Sequence, residues 1–294
     1  MTAPEGTGRR LRPAPRAFYV AKAAATRGRS ALWRLPGRSR GPAGLRILFY
    51  HRIADEPDQL AVSPRRFREQ MDFLAAGGYT VVDVPRAAEL LAAGEAPERT
   101  IGLSFDDGYL DNAEVALPVL AAHGFRATVF LPTAIIDGRT RAGWYERQPP
   151  FLSWDDVVAL DGAGTFGFEA HTVTHPSLVL LAEEDAKMEI EGSKRELEER
   201  LGRRVDAFSY PAGLYGERER QLVAGAGYRV AVTTEPGANQ PGDDPLLLRR
   251  VQVEPRDSLL DFRARLGGGH DRPLPLRGVY RRLRYGVEQA SSRS

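Results

Sequence analysis

The chain has 294 residues, 42% of them hydrophobic, and no cysteine. That size suits one large α/β domain or two ordinary ones, and the missing cysteine excludes a disulfide scaffold, a thiolate metal site and a thiol nucleophile. The formal charge of +2 is uneven: residues 1–44 hold ten of the 41 basic groups and one of the 39 acids, which leaves a mildly acidic body behind a basic arm.

Residues 1–44 are rich in Arg, Pro, Gly and Ala and are expected to form a flexible arm around one short helix near 16–35. Phe18, Val20, Leu32 and Trp33 offer a peripheral contact with an anionic membrane surface; a solvated tail is the alternative. No run approaches the ~20 apolar residues of a membrane span. The apolar stretch 17–21 stops at Lys22, so no secretory signal is read there. Cytoplasmic or membrane-peripheral placement follows from the sequence.

From residue 45, strand-like and helix-like pieces alternate. Residues 46–51 (RILFYH) read as a buried strand. Ser63-Pro64 starts a helix with Phe67, Met71 and Leu74 on one face, and Gly77-Gly78 stops it. Strands follow at 80–84, 100–105, 126–131, 165–170, 207–210, 228–233 and 247–253. Helices fall at 85–93, 112–123, 154–160, 183–201, 217–224 and 258–266. About seven alternations predict parallel βαβ units closed into a sheet or barrel. One domain over 45–266 is expected, with a basic tail over 267–294 and a surface loop over 138–150.

In parallel α/β folds the chemistry collects at strand ends. The strand 100–105 leads into Asp106-Asp107-Gly108. Two adjacent acids there repel each other and are costly to bury without a cation; a turn with a helix cap is the structural alternative. The strand 165–170 leads into His171-Thr172-Val173-Thr174-His175-Pro176, which carries two of the five histidines. One carboxylate with two imidazoles makes a three-ligand divalent site with an open position. The second carboxylate is then free to act as a base toward water.

Ser104-Phe105-Asp106-Asp107-Gly108 and His171-Thr172-Val173-Thr174-His175 resemble the first two motifs of the polysaccharide deacetylase family, the NodB-homology carbohydrate esterases. Leu48-Phe49-Tyr50-His51-Arg52-Ile53 resembles the branch that deacetylates poly-N-acetylglucosamine. The likeness spans roughly residues 45–265. It implies a distorted (β/α)7 barrel, metal-dependent removal of acetyl groups from a glycan and, by family analogy, an extracytoplasmic place of work in contrast to the placement read from the sequence. Asp106 would be the base. Asp107, His171 and His175 would hold the metal, zinc first, with Co2+, Ni2+ or Mn2+ as alternatives. His51 would be the acid.

The third motif departs from the family pattern. In Phe208-Ser209-Tyr210-Pro211-Ala212-Gly213, Ser209 stands where an arginine is expected and Ala212 where an aromatic is expected. Ala212 can still offer a backbone N–H to an oxyanion, and Arg250 is a candidate substitute for the arginine. Pro211 belongs to this turn, and Tyr50 and Tyr210 flank site residues as candidate sugar contacts. Trp154 reads as core, His123 as a structural helix end, and His270 lacks a strand context. The alternatives are a deacetylase for another acylated sugar or amide (a peptidoglycan sugar, a xylan acetyl ester, a small cyclic amide) or an inactive glycan-binding module. A nucleic-acid partner is not expected, because the body is acidic and lacks interleaved aromatics.

Overall fold

The computed structural model describes residues 16–33, 43–95 and 97–271. Helix α1 (Arg16–Trp33) precedes strand β1 (Arg46–Tyr50). Two short strands, β2 (Arg52–Ile53) and β3 (Ala61–Val62), then pair in parallel across their loop. The chain continues through α2 (Pro64–Ala76), β4 (Thr80–Val82), α3 (Val84–Ala92) and β5 (Thr100–Asp106). A π-helical turn at Asn112–Ala116 opens α4 (Leu117–Ala122), followed by β6 (Ala127–Leu131), α5 (Thr133–Ile136) and α6 (Trp154–Asp161). The last part holds β7 (Phe166–Ala170), α7 (Glu183–Leu201), β8 (Ala207–Ser209), α8 (Glu217–Gly225), β9 (Val230–Val232), β10 (Arg250–Gln252) and α9 (Leu259–Leu266).

Local chemistry explains these boundaries. Ser63 caps α2 by accepting the Arg66 N–H, and Pro64 fills the first turn, where its missing donor costs nothing. Ser153 and Ser258 form capping boxes with Asp156 and Asp261. Gly202 ends α7 in the left-handed conformation that glycine adopts freely.

Eight parallel strands form the main sheet, seven of them in the order β10-β1-β5-β6-β7-β8-β9. A single bridge from Val232 to Leu248 brings the β9 edge toward the β10 side, so the barrel is nearly closed. This is the α/β barrel expected from the alternation. β4 lies off the ring, taking the first half of the β5 edge while β6 takes the second. The β7–β8 ladder is one residue pair long. Beside it, the Glu169 carboxylate accepts the Ala207 N–H at 2.7 Å and so helps join the two strands.

Strand alternation divides the side chains between two faces. Leu48, Tyr50, Leu103, Phe105, Phe166, Phe168, Phe208 and Tyr210 join one large core that also takes helix residues such as Phe67, Met71, Ile190 and Leu197. The alternate positions, including Phe49, Ser104, Asp106, Ser209 and Arg250, face the barrel interior.

Residues 16–33 are not a loose arm. Thr26 and Ser30 are buried, and the Ser30 hydroxyl lies 3.0 Å from His270 Nε2. The expected tail is likewise tied down over 267–271, where Asp271 pairs with Arg46 at 2.7 Å. A hydroxyl, an imidazole and an ion pair anchor segments that composition alone marks as flexible. Residues 1–15, 34–42 and 272–294 lie outside the described residues, as does the rest of the expected arm and tail. Of the four apolar residues expected to face a membrane, Val20 and Leu32 are exposed, whereas Trp33 lies against Gly267 and Gly269.

Phe105 is wholly buried among Tyr50, Phe67 and Phe166. Phe105→Ala is therefore expected to lower unfolding stability by about 3–5 kcal/mol in a denaturant titration.

Candidate active site

Asp106 ends β5 with its side chain inside the barrel, and Asp107 turns out of the strand with φ of 77°. Gly108 follows at φ 69°, where a Cβ would collide with Leu131. The Asp-Asp-Gly sequence thus has a steric requirement as well as a chemical one.

Arg250 is fully buried. It enters at the level of Ile47 on β1, low in the barrel, and its side chain runs up the interior. Its guanidinium lies over the Phe49 ring at 4.4 Å and the Phe130 ring at 5.5 Å. It grips Asp106 with both forks, Nη1 to Oδ1 at 2.6 Å and Nη2 to Oδ2 at 2.8 Å. The remaining donors go to the Thr233 carbonyl at 3.0 Å, the Ser104 hydroxyl at 3.2 Å and the Ser209 hydroxyl at 3.0 Å. Ser209, where the sequence pattern leads one to expect arginine, is thus a ligand of the arginine that reaches the same carboxylate from another strand.

His171 follows β7. Its Nδ1–H donates to the Ser209 carbonyl at 2.7 Å, which leaves the Nε2 lone pair free. Thr172 and His175 both take left-handed backbone, and the His175 N–H donates to Thr172 Oγ1 at 2.9 Å. These bends return His175 to His171, with their Nε2 atoms 3.1 Å apart. Glu189 of α7 holds the loop by accepting the Val173 and Thr174 N–H groups, each at 2.8 Å.

Asp107 Oδ1 lies 3.7 Å from His171 Nε2 and 3.6 Å from His175 Nε2. It is buried with no hydrogen-bond partner, whereas Oδ2 accepts the Tyr109 O–H at 3.0 Å. In a tetrahedral site with bonds of ~2.1 Å, ligand atoms stand roughly 3.4 Å from one another. The three observed separations bracket that value, and the orphaned oxygen faces the Nε2 atoms of both rings. The residues fit a divalent cation.

The electrostatics separate the two acids. Burial pushes Asp106 up, but the Arg250 charge and hydrogen bonds outweigh it and hold the carboxyl at about 2. Burial and the neighbouring Asp106 charge push Asp107 up to about 8, against the Tyr109 hydrogen bond. Burial lowers His171 to about 4 and His175 well below its ordinary value, so both rings are neutral at pH 7. Asp106 is paired with a protein cation, Arg250, whereas no Lys or Arg among the described residues pairs with Asp107.

His51 lies just past β1, half-buried, with its carbonyl accepting from Asn112 Nδ2 at 2.8 Å. Burial lowers its pKa, the Asp106 charge opposes this, and Arg250 adds to the lowering. Ala212, in the turn after β8, is half-buried with φ of 56°, and Pro211 beside it is buried. Among the described residues only five non-glycines have positive φ, and four of them, Asp107, Thr172, His175 and Ala212, lie in this region. Strain of this kind gathers where a site must be held in one shape.

Tyr50 and Tyr210, expected as sugar contacts, lie in the core instead. Each lies one residue from a lumen-facing position, so alternation sends it to the outer core. Tyr50 packs on Phe67 and Phe105 and donates to Gln70 at 2.8 Å. Tyr210 is fully buried beside Phe208 and Tyr215. Both side chains are fully buried. Trp154 lies in the core, His123 pairs with Asp72 at a helix end, and His270 is engaged with Ser30.

The loop 138–150 does more than cover a surface. Its Trp144 ring lies 4.5 Å from the His175 ring and donates to the Tyr109 hydroxyl at 3.2 Å. Tyr145 donates to Asp58 at 2.6 Å. Trp144, Tyr109 and Glu189 are the contributors that sequence reasoning missed. Tyr109 was within reach as the next residue after Asp-Asp-Gly; the other two gave no local signal.

Residues 93–231 match the family model described as Polysaccharide deacetylase. The Bacillus subtilis (strain 168) protein YxkH, whose name assigns it to the polysaccharide deacetylases, is 31% identical over 215 residues, 73% of each chain. The chain belongs to the polysaccharide deacetylase family. Among solved structures, the chain is similar to PplD of Streptococcus pyogenes, a deacetylase in complex with acetate (26% identity, TM-score 0.66, 74% of this chain and 95% of that one). It is also similar to IcaB of Ammonifex degensii (25% identity, TM-score 0.67, 79% and 97%).

Glu189→Gln and Tyr109→Phe are each expected to weaken divalent-cation binding, probed with zinc by calorimetry, by roughly 10–100-fold, because each loosens a member of the Asp107, His171 and His175 cluster without removing it. Arg250→Met leaves Asp106 buried without its cation and is expected to cost about 3–5 kcal/mol in denaturant unfolding.

Proposed function

We propose that this deacetylase removes N-acetyl groups from an N-acetylglucosamine-containing glycan, with a divalent ion, zinc by first choice, held by Asp107, His171 and His175. One observation carries the reading: an ionised Asp106, clamped by Arg250, stands beside an unpartnered Asp107 oxygen that faces two imidazole Nε2 atoms. A glycan-binding module would have little use for a buried carboxylate kept charged at the cost of burying an arginine with it.

An ion bound there would supply Lewis acidity toward an acyl carbonyl and toward water. Asp106 takes the proton of the attacking water, and Arg250 keeps its two oxygens aimed and ionised. The Ala212 N–H offers a donor to the developing oxyanion. His51, on the neighbouring strand end, delivers a proton to the departing sugar nitrogen. Trp144 forms an aromatic wall beside His175. The substrate class rests on the likeness of residues 48–53 to the poly-N-acetylglucosamine branch and is supported by the similarity to IcaB. No helix among the described residues is long and apolar enough to cross a membrane.

The test is acetate release from N-acetylglucosamine oligomers by metal-stripped protein, with and without added zinc. Release is expected only with zinc, and Asp106→Asn is expected to lower it by about 10²–10⁴-fold. Zinc-independent release, or full activity in Asp106→Asn, contradicts the assignment.

A further inference from the structure

Helix α1 lies well before the family-matched residues 93–231. Lys22, Thr26, Ser30 and Trp33 follow one another at i, i+4, i+8 and i+11, which places them along one side of the helix. Each is engaged. Thr26 and Ser30 are buried, and Ser30 meets His270 at 3.0 Å. The Trp33 indole lies against Gly267 and Gly269 so closely that a Cβ at Gly267 would collide with it. At the other end, Lys22 Nζ lies 2.6 Å from Glu254 Oε1, with both side chains largely covered.

Glu254 is at the mouth of the barrel. β1 and β10 run in parallel with Phe49 opposite Gln252, and the Val253 N–H donates to the Phe49 carbonyl at 3.0 Å. Two residues further along each chain come His51 and Glu254, neighbours just past the ends of paired strands. The two groups feel each other's charge. The Glu254 backbone is itself fixed, its N–H held by Asp257 Oδ2 at 2.8 Å, and Asp257 is in turn bound to Arg265.

We propose that α1 is part of the active site: Lys22 is a positioning residue that holds the Glu254 carboxylate beside His51. This rests on the reading of His51 as the proton donor. The charged groups facing His51 are Asp106 from β5, Arg250 and Glu254 from β10 and its exit, and Asp58 from the loop between β2 and β3; His171 and His175 beyond β7 also feel its charge. Lys22 and Arg265 face Glu254. Removing Lys22 leaves the Glu254 charge less neutralised, which favours protonated His51. A donor whose proton is held more tightly stays protonated to higher pH but gives it up more slowly. Removing the Glu254 charge has the opposite effect on the titration.

The experiment uses the full-length, zinc-loaded protein and four variants, Lys22→Met, Lys22→Arg, Glu254→Gln and His51→Gln. Each is measured for kcat, KM and Tm, with a pH profile of kcat/KM for every variant that retains activity. Lys22→Met is expected to move the alkaline limb up by about half to one pH unit. It should lower kcat by about three- to tenfold, with KM within about twofold, a part of the 10²–10⁴-fold that a general acid contributes. Lys22→Arg should restore both, and Glu254→Gln should move the limb down. A wild-type profile and kcat in Lys22→Met overturns the proposal. So does a loss of activity that tracks a lower Tm with the limb unmoved, because helix docking alone would then explain it. A His51→Gln enzyme with near wild-type kcat overturns the reading of His51 itself, an outcome separate from the other two.

Discussion

Two adjacent carboxylates at the end of a fully buried strand set the terms for the rest of this molecule. Burial disfavours the charge on each, and each disfavours the charge on the other. The barrel treats the two differently. Arg250 rises through the interior and grips Asp106 with both forks, its other donors taken by Ser104, Ser209 and Thr233. Asp107 Oδ1 has no hydrogen-bond partner and faces the Nε2 atoms of two neutral imidazoles, a set that fits a divalent cation. The different roles proposed for the two neighbouring aspartates follow from this difference in partners.

Much of the ligand geometry depends on backbone bent away from its easy conformations. Asp107, Thr172, His175 and Ala212 all take left-handed φ values, and neighbouring elements hold them there. Glu189 caps the histidine loop from α7, α5 donates the Thr133 and Ala134 N–H groups to carbonyls of the same loop, and Tyr109 bonds Asp107 from the turn after it. The loop carrying Trp144 closes this set from the outside.

The barrel was legible in the sequence because a parallel sheet with covered faces leaves apolar runs separated by amphipathic helices, and the caps at Ser63 and Ser258 mark helix starts locally. The cluster of Asp107, His171 and His175 was legible because Asp-Asp-Gly and His-x3-His are short-range patterns. Arg250 was found only as a replacement for something missing, since its link to Asp106 spans 144 positions. Tyr50 and Tyr210 were misplaced because proximity in sequence was read as proximity in space; a step of one residue along a strand reverses the face. Glu189, Trp144 and the docking of α1 left no local trace, because each acts through a partner brought near only by the closed barrel.

Carboxyl titration by 13C NMR tests the separation of the two aspartates most directly, in metal-free protein and with zinc, with Asp106→Asn and Asp107→Asn used for assignment. In metal-free protein Asp106 is expected to stay ionised down to about 2 while Asp107 titrates near 8, and zinc is expected to make Asp107 ionised across the neutral range. Two carboxyls titrating together near the ordinary aspartate value, unmoved by zinc, would contradict it.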